Sequence, residues 1–161
     1  MNFISPTKGK MTLSEAFEDV VAYIKEQPQE KYKLIIGTDS HSYLDSEITF
    51  VTAIIIHRVG KGGRYFYRRE KHYFVQSLRQ RIFYETSLSL DVAGRFNELL
   101  SSLSSKNQEK LNMEIHLDVG EAGDTKELIR EVVGMVIGSG FDARIKPDSY
   151  GATKVADRYT K

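Results

Sequence analysis

The chain has 161 residues, 40% of them apolar and 28% charged, and a formal net charge of +1, ordinary values for a globular protein built as one domain. It contains no cysteine, which excludes disulfides, a disulfide-linked partner, thiolate metal sites and a cysteine nucleophile, so any metal must be held by oxygen or imidazole. No apolar run of about 18 residues and no secretory leader is visible, so a cytoplasmic protein without a membrane span is expected.

Residues 1–11 lack periodicity and read as a flexible arm before a single domain that takes up the rest of residues 1–161. Thr12-Leu-Ser-Glu15 then carries a capping-box pattern, and Leu13, Ala16, Phe17, Val20, Val21 and Ile24 recur at helical spacing, predicting an amphipathic helix ended by Pro28. Lys33 to Ile36 is an apolar run with β-branched residues that reads as a buried strand, delivering Asp39 just beyond its carboxyl end. Ile48 to His57 is a second such run, and the glycine-rich turn Gly60 to Gly63 leads into a third strand over Arg64 to Val75. These three strands fit an antiparallel meander.

Leu88, Val92, Phe96, Leu99 and Leu103 place a long helix within residues 77–103. Met113 to Val119 alternates strictly, with Met113, Ile115, Leu117 and Val119 on one face and Glu114, His116 and Asp118 on the other. Asp124-Thr-Lys-Glu127 reads as a second cap before a helix that Gly138 and Gly140 stop. Phe141, Ala143 and Ile145 mark a short last strand, and Asp148 or Ser149 can cap a final helix to Lys161.

Three meander strands followed by helix, strand, helix, strand, helix is the element order of the ribonuclease H-like fold: an α/β domain with a five-stranded mixed sheet, three strands antiparallel and two parallel, flanked by helices. In that fold the first and fourth strands are neighbours, which would bring Asp39 and Asp118 to one rim. Each aspartate taken alone reads as a turn former or cap; the pair, in this order, reads as a shared site. Among the acids of the long helix, Glu85 falls in the middle of the apolar stripe, whereas Asp91 lies outside it as a solvated partner of Arg95. A glutamate on a buried stripe is costly without a partner. A divalent ion shared with the two aspartates is such a partner, since clustered carboxylates otherwise repel each other. An oxygen-only donor set of this kind suits Mg²⁺ or Mn²⁺. The Asp118 turn, Asp-Val-Gly-Glu-Ala-Gly, has a rival reading as a phosphate-binding turn of actin-like kinases.

The strings IGTDSH, HLDVG, KPDSYGATKVAD and the closing RYTK resemble the uncharacterised bacterial family typified by YkuK, which is grouped with ribonuclease H-like proteins. The resemblance runs from about Thr12 to the end. It implies a metal-dependent nuclease hydrolysing phosphodiester bonds in RNA, an RNA–DNA hybrid or structured DNA. It matches Asp39, Glu85, Asp118 and Asp157 to the acidic positions that would hold two Mg²⁺ or Mn²⁺ ions, about 4 Å apart in such mechanisms. His41, His116, Asp148 and Lys154 are supporting candidates, each with a plain structural reading beside it. Lys146, Lys154, Arg158 and Lys161 flank the proposed fourth acid, Asp157.

From Arg58 to Arg81 eight cationic side chains stand against Glu70 alone. Arg64, Arg68, Arg69, Lys71, Arg79 and Arg81, interleaved with tyrosine and phenylalanine, make a candidate nucleic-acid surface. The same residues also fit a strand with aromatic rings inward and arginines in solvent. The alternative function is a non-catalytic nucleic-acid-binding or regulatory module on the same fold.

Overall fold

The structure, a computed structural model, describes residues 1–43, 47–73, 77–103 and 111–149. Asn2–Ser5 (β1) and Gly9–Thr12 (β2) form a hairpin, followed by the helix Leu13–Glu26 (α1). Tyr32–Tyr43 (β3), Glu47–Arg58 (β4) and Gly63–His72 (β5) are the meander, and Leu78–Ser101 (α2) is the long helix. Leu111–His116 (β6), a 3-10 turn Lys126–Leu128, the helix Ile129–Gly138 (α3) and Asp142–Arg144 (β7) complete the described chain.

The sheet order is β2-β1-β5-β4-β3-β6-β7. The meander is antiparallel, and β6 and β7 run parallel to β3 and to each other. The α/β architecture with a mixed sheet is therefore as expected, but the sheet has seven strands and not five. The two additional strands come from the residues expected to be a flexible arm. Phe3 and Met11 are buried, and a left-handed Gly9 (φ 77°) follows a turn in which Lys8 N donates to Ser5 Oγ at 3.1 Å. Four-residue strands offer too few alternating positions for a periodicity to register.

The cap expected at Thr12 is formed, and the structure adds a second at α2. Thr12 and Glu15 exchange the reciprocal bonds of a capping box, and Ser77 and Gln80 do the same at α2. The Asp124 cap is not formed. A 3-10 turn intervenes, α3 starts only at Ile129, and Thr125 Oγ1 accepts from Gly120 N at 3.0 Å. The final helix expected after Asp148 lies outside the described residues beyond Ser149.

The three helices among the described residues pack on one face of the sheet. Leu34, Ile36, Ile54, Ile56, Phe66 and Ile115 meet Phe17, Val20, Val92, Phe96, Val132 and Val136 there, with Phe17 and Phe96 edge to face at 5.2 Å. The opposite face carries smaller apolar clusters around Ile35 with Ala53 and Val51 with Tyr67. No helix among the described residues is long and apolar enough to cross a membrane.

Arg64, a candidate for nucleic acid, is recruited into the fold. Its Nη1 lies 2.6 Å from Asp19 Oδ1, and Lys8 Nζ from the hairpin turn lies 3.1 Å from Asp19 Oδ2. The buried Asp19 carboxylate on α1 thus ties the hairpin and β5 to the helix. Replacing it by asparagine removes the counter-charge of Lys8 and leaves Arg64 only its longer contact with Glu26 at 3.4 Å, at a cost of about 1–3 kcal/mol. Asp19→Asn should lower the melting temperature by about 2–4 °C per kcal/mol and speed hydrogen exchange at β1 and β2. Exchange in the hairpin as slow as in the parent would refute the clamp.

Candidate metal centre

The parallel ladder between β3 and β6 runs from Tyr32↔Leu111 to Gly37↔His116 and stops there. β3 continues to Tyr43, still paired with β4, while the chain after β6 turns away. Asp39 and Asp118 each stand two residues past this parting. Asp39 therefore lies inside an extended strand, where it pairs in register with Val51, and not in a loop beyond the strand's end. The fork between parallel strands puts a crevice at their carboxyl ends.

Glu85 enters from α2 by a register match between helix and strand. Thr38 Oγ1 bonds Ser89 Oγ at 2.8 Å and Thr52 Oγ1 at 2.9 Å. One helical turn back from Ser89 is Glu85, and two residues along β3 from Thr38 is Ser40. Four helical residues rise about 6.0 Å and two strand residues about 6.6 Å, so the second pair meets as the first does: Ser40 Oγ donates to Glu85 Oε2. Arg81, one turn earlier, donates from Nη2 and Nε to Ser40 Oγ at 3.0 and 3.2 Å and from Nη1 to Ser42 Oγ at 3.1 Å.

Asp39 and Glu85 are only 9% and 5% exposed, and each of Asp39, Glu85 and Asp118 offers an oxygen within 4.8 Å of the others. Ser40 N donates to Asp39 Oδ1 at 2.8 Å. Burial drives the Glu85 carboxyl well above its ordinary range; the charges of Asp39 and Asp118 push the same way, against the Ser40 hydroxyl and Arg81. Lys146 Nζ lies 2.6 Å from Asp118 Oδ1, and that hydrogen bond, more than the charges of Asp39 and Glu85, raises its pKa. Hard oxygen donors this close, one of them buried and biased toward neutrality, fit a divalent cation: it would replace mutual repulsion with attraction.

The other candidates fall in different places. His116 and Glu114 are both buried on the face they share with Asp118, with His116 Nε2 3.1 Å from Glu114 Oε1. Burial lowers the His116 pKa against the pull of Glu114. Burial raises the Glu114 carboxyl, but the His116 bond, Arg144 and Lys33 together hold it below the usual range. Lys33 and Arg144 approach Glu114 at 3.7 and 3.4 Å. His41 is half-buried on β3, and Asp148 is exposed with its backbone N–H on Ile145 O at 2.8 Å. Asp157 and Lys154 lie outside the described residues.

The basic stretch is largely paired within the protein: Arg68 with Glu70 at 3.3 Å, Lys71 with Glu47 at 3.2 Å and Arg79 with Glu131 at 2.6 Å. Arg69, exposed, shares the Asp39–Val51 row of the sheet and so the face of Asp39. Ser40, Arg81 as a support of Glu85, and Glu114 were not assigned these places from the sequence. For Glu114 a signal existed, since it alternates with His116 and Asp118.

A family model described as Ribonuclease H-like matches residues 15–161. The uncharacterized protein YkuK of Bacillus subtilis (strain 168) is 36% identical over 171 aligned residues, spanning 99% of this chain and 96% of that protein. A crystal structure of Ciona intestinalis endonuclease V, in complex with a 24mer DNA containing an inosine followed by a ribo-adenosine, is 12% identical. It covers 91% of this chain and 65% of its own, with a TM-score of 0.38, too distant for one site to be laid on the other.

The protonation of Glu85 gives a stability test. Its proton is bound more tightly in the folded than in the unfolded chain, so its contribution to stability falls as pH rises above the ordinary value of 4.5. Without divalent ions, Glu85→Gln should therefore melt higher than the parent near pH 8, and the difference should close toward about pH 4. Calorimetry in a chelating buffer reads this directly. A glutamine variant that melts lower than the parent at the alkaline end would contradict it.

Proposed function

The chain belongs to the ribonuclease H-like family, and from that premise we propose that it is a metal-dependent nuclease cleaving phosphodiester bonds in RNA, an RNA–DNA hybrid or structured DNA. The observation that carries this reading is the convergence of Asp39, Glu85 and Asp118 oxygens within 4.8 Å at the fork of β3 and β6. The cations assigned are Mg²⁺ or Mn²⁺, which at such a site supply charge neutralisation and Lewis-acid polarisation of a phosphoryl oxygen.

In this reading Asp39 and Asp118 are the principal ligands. Glu85 is the ligand whose placement is fixed from behind: Ser40 holds one of its oxygens, and Arg81 holds Ser40. Arg69, on the face of Asp39, and Arg81, beside Ser40, are the residues assigned to backbone phosphates in this reading; Arg64 is left out because it serves the hairpin clamp. Asp157 is assigned as a fourth ligand on sequence order alone. The ion pair of Lys146 with Asp118 favours a second reading, a nucleic-acid-binding module in which the ammonium takes the cation's place and no divalent ion binds.

Cleavage of labelled RNA, RNA–DNA hybrid and branched DNA in Mn²⁺ or Mg²⁺ should be detectable and should fall by more than roughly 100-fold in Asp39→Asn, since loss even of an outer partner of a metal ligand costs 10–100-fold. Equal cleavage by the mutant would place the activity elsewhere. Saturating Mn²⁺ should raise thermal stability, by about 2.7 kcal/mol at 100 times the dissociation constant, and Asp39→Asn should lose that gain. Salt-sensitive nucleic-acid binding with no cleavage and no metal-induced shift is the outcome expected of the second reading.

A further inference from the structure

Lys146 is delivered to the carboxylates by the backbone. Beyond the last paired residues of β6 and β7, Leu117 N bonds Arg144 O and Lys146 N bonds Val119 O, both at 2.8 Å. The parallel ladder thus runs on past the ends of the strands and sets Lys146 beside Asp118. Gly120 leaves room for the stem: a Cβ there would lie 3.0 Å from Lys146 Cβ. The ammonium comes to 2.6 Å from Asp118 Oδ1 with Asp39 and Glu85 also in electrostatic reach. Arg81 bonds the hydroxyls of Ser40 and Ser42 and reaches Glu85 through its charge, without a direct bond to Asp118.

Charge balance then bears on how many ions the cluster can hold. The three carboxylates of the cluster carry three negative charges when ionised, which one divalent ion and one ammonium neutralise, whereas two divalent ions with Lys146 in place leave a net excess of two positive charges, and of one with Asp157 counted as a fourth ligand. Two dications a few ångströms apart are tolerated only where anionic ligands outweigh their repulsion.

We propose that Lys146 fills one of the cation positions of the Asp39–Glu85–Asp118 cluster, so that the site takes one tightly held divalent ion and not two. This rests on the metal-site reading above and replaces the two-ion arrangement expected from the sequence. Lys146 acts as a positioning residue, holding Asp118 and setting the ion count; it need not touch the substrate.

The test is a count of Mn²⁺ bound to the full chain, by isothermal titration and by electron paramagnetic resonance of the free ion. The parent protein should bind one ion tightly, with any second requiring at least about tenfold more Mn²⁺. Lys146→Met, checked for folding by circular dichroism, should bind its first ion about tenfold or more tighter and gain a second, because a unit positive charge close to a dication has been removed. Two ions of similar affinity in the parent would overturn this proposal alone, whatever the variant does. A parent and Lys146→Met that bind none, or an Asp39→Asn variant that binds as the parent does, would overturn the metal site and this proposal with it.

Discussion

The arrangement depends on one electrostatic conflict: three carboxylates whose oxygens lie within 4.8 Å of one another, two of them buried. Nothing in an apolar core favours this. Burial alone disfavours an ionised Glu85, and two neighbouring negative charges disfavour it further. The surroundings act to hold the three groups in place despite the conflict. The Thr38–Ser89 and Ser40–Glu85 bonds lock helix to strand, the Ser40 amide holds Asp39, and Lys146 holds Asp118. A divalent cation among the three groups would turn that conflict into attraction.

The cations of the chain are distributed with the same economy. The segment from Arg58 to Arg81 looks on paper like a polyanion surface, yet Arg64, Arg68, Lys71 and Arg79 each have an acidic partner supplied by another element or, for Arg68, by a neighbour on its own strand. Apart from the pair with the buried Asp19, such solvent-facing pairs contribute little to stability. Their consequence is to neutralise charge that a sequence count would have offered to phosphate, narrowing the cationic groups near the centre, among the described residues, to Arg69, Arg81 and Lys146. A second buried polar group, Glu114 with His116, lies on the same face of β6 as Asp118. It keeps that face polar up to the fork without itself joining the cluster of three.

Much of this was legible in the chain itself. The capping box of Thr12, the period-2 alternation of Met113 to Val119 and the phase of Glu85 within the apolar stripe of α2 are local patterns. Local patterns survive folding because they are written in backbone hydrogen bonding and in which side a residue presents. The order of elements, with an aspartate expected at the ends of the first and fourth strands, then pointed to the ribonuclease H-like fold. The N-terminal hairpin was not legible, because its strands are stabilised by docking on β5 and by the Lys8–Asp19–Arg64 contacts rather than by their own pattern.

What the sequence by itself determined, then, is which residues are acidic, which elements carry them and which face of each element they occupy, since these follow from period and composition. What only the tertiary structure decided is distance. That β3 outruns its ladder with β6 at Gly37, that Ser40 meets Glu85, and that Lys146 lands on Asp118 across the extended β6–β7 ladder all depend on register between segments far apart in the chain. Register is set by the summed packing of the whole sheet, which no local stretch of residues contains.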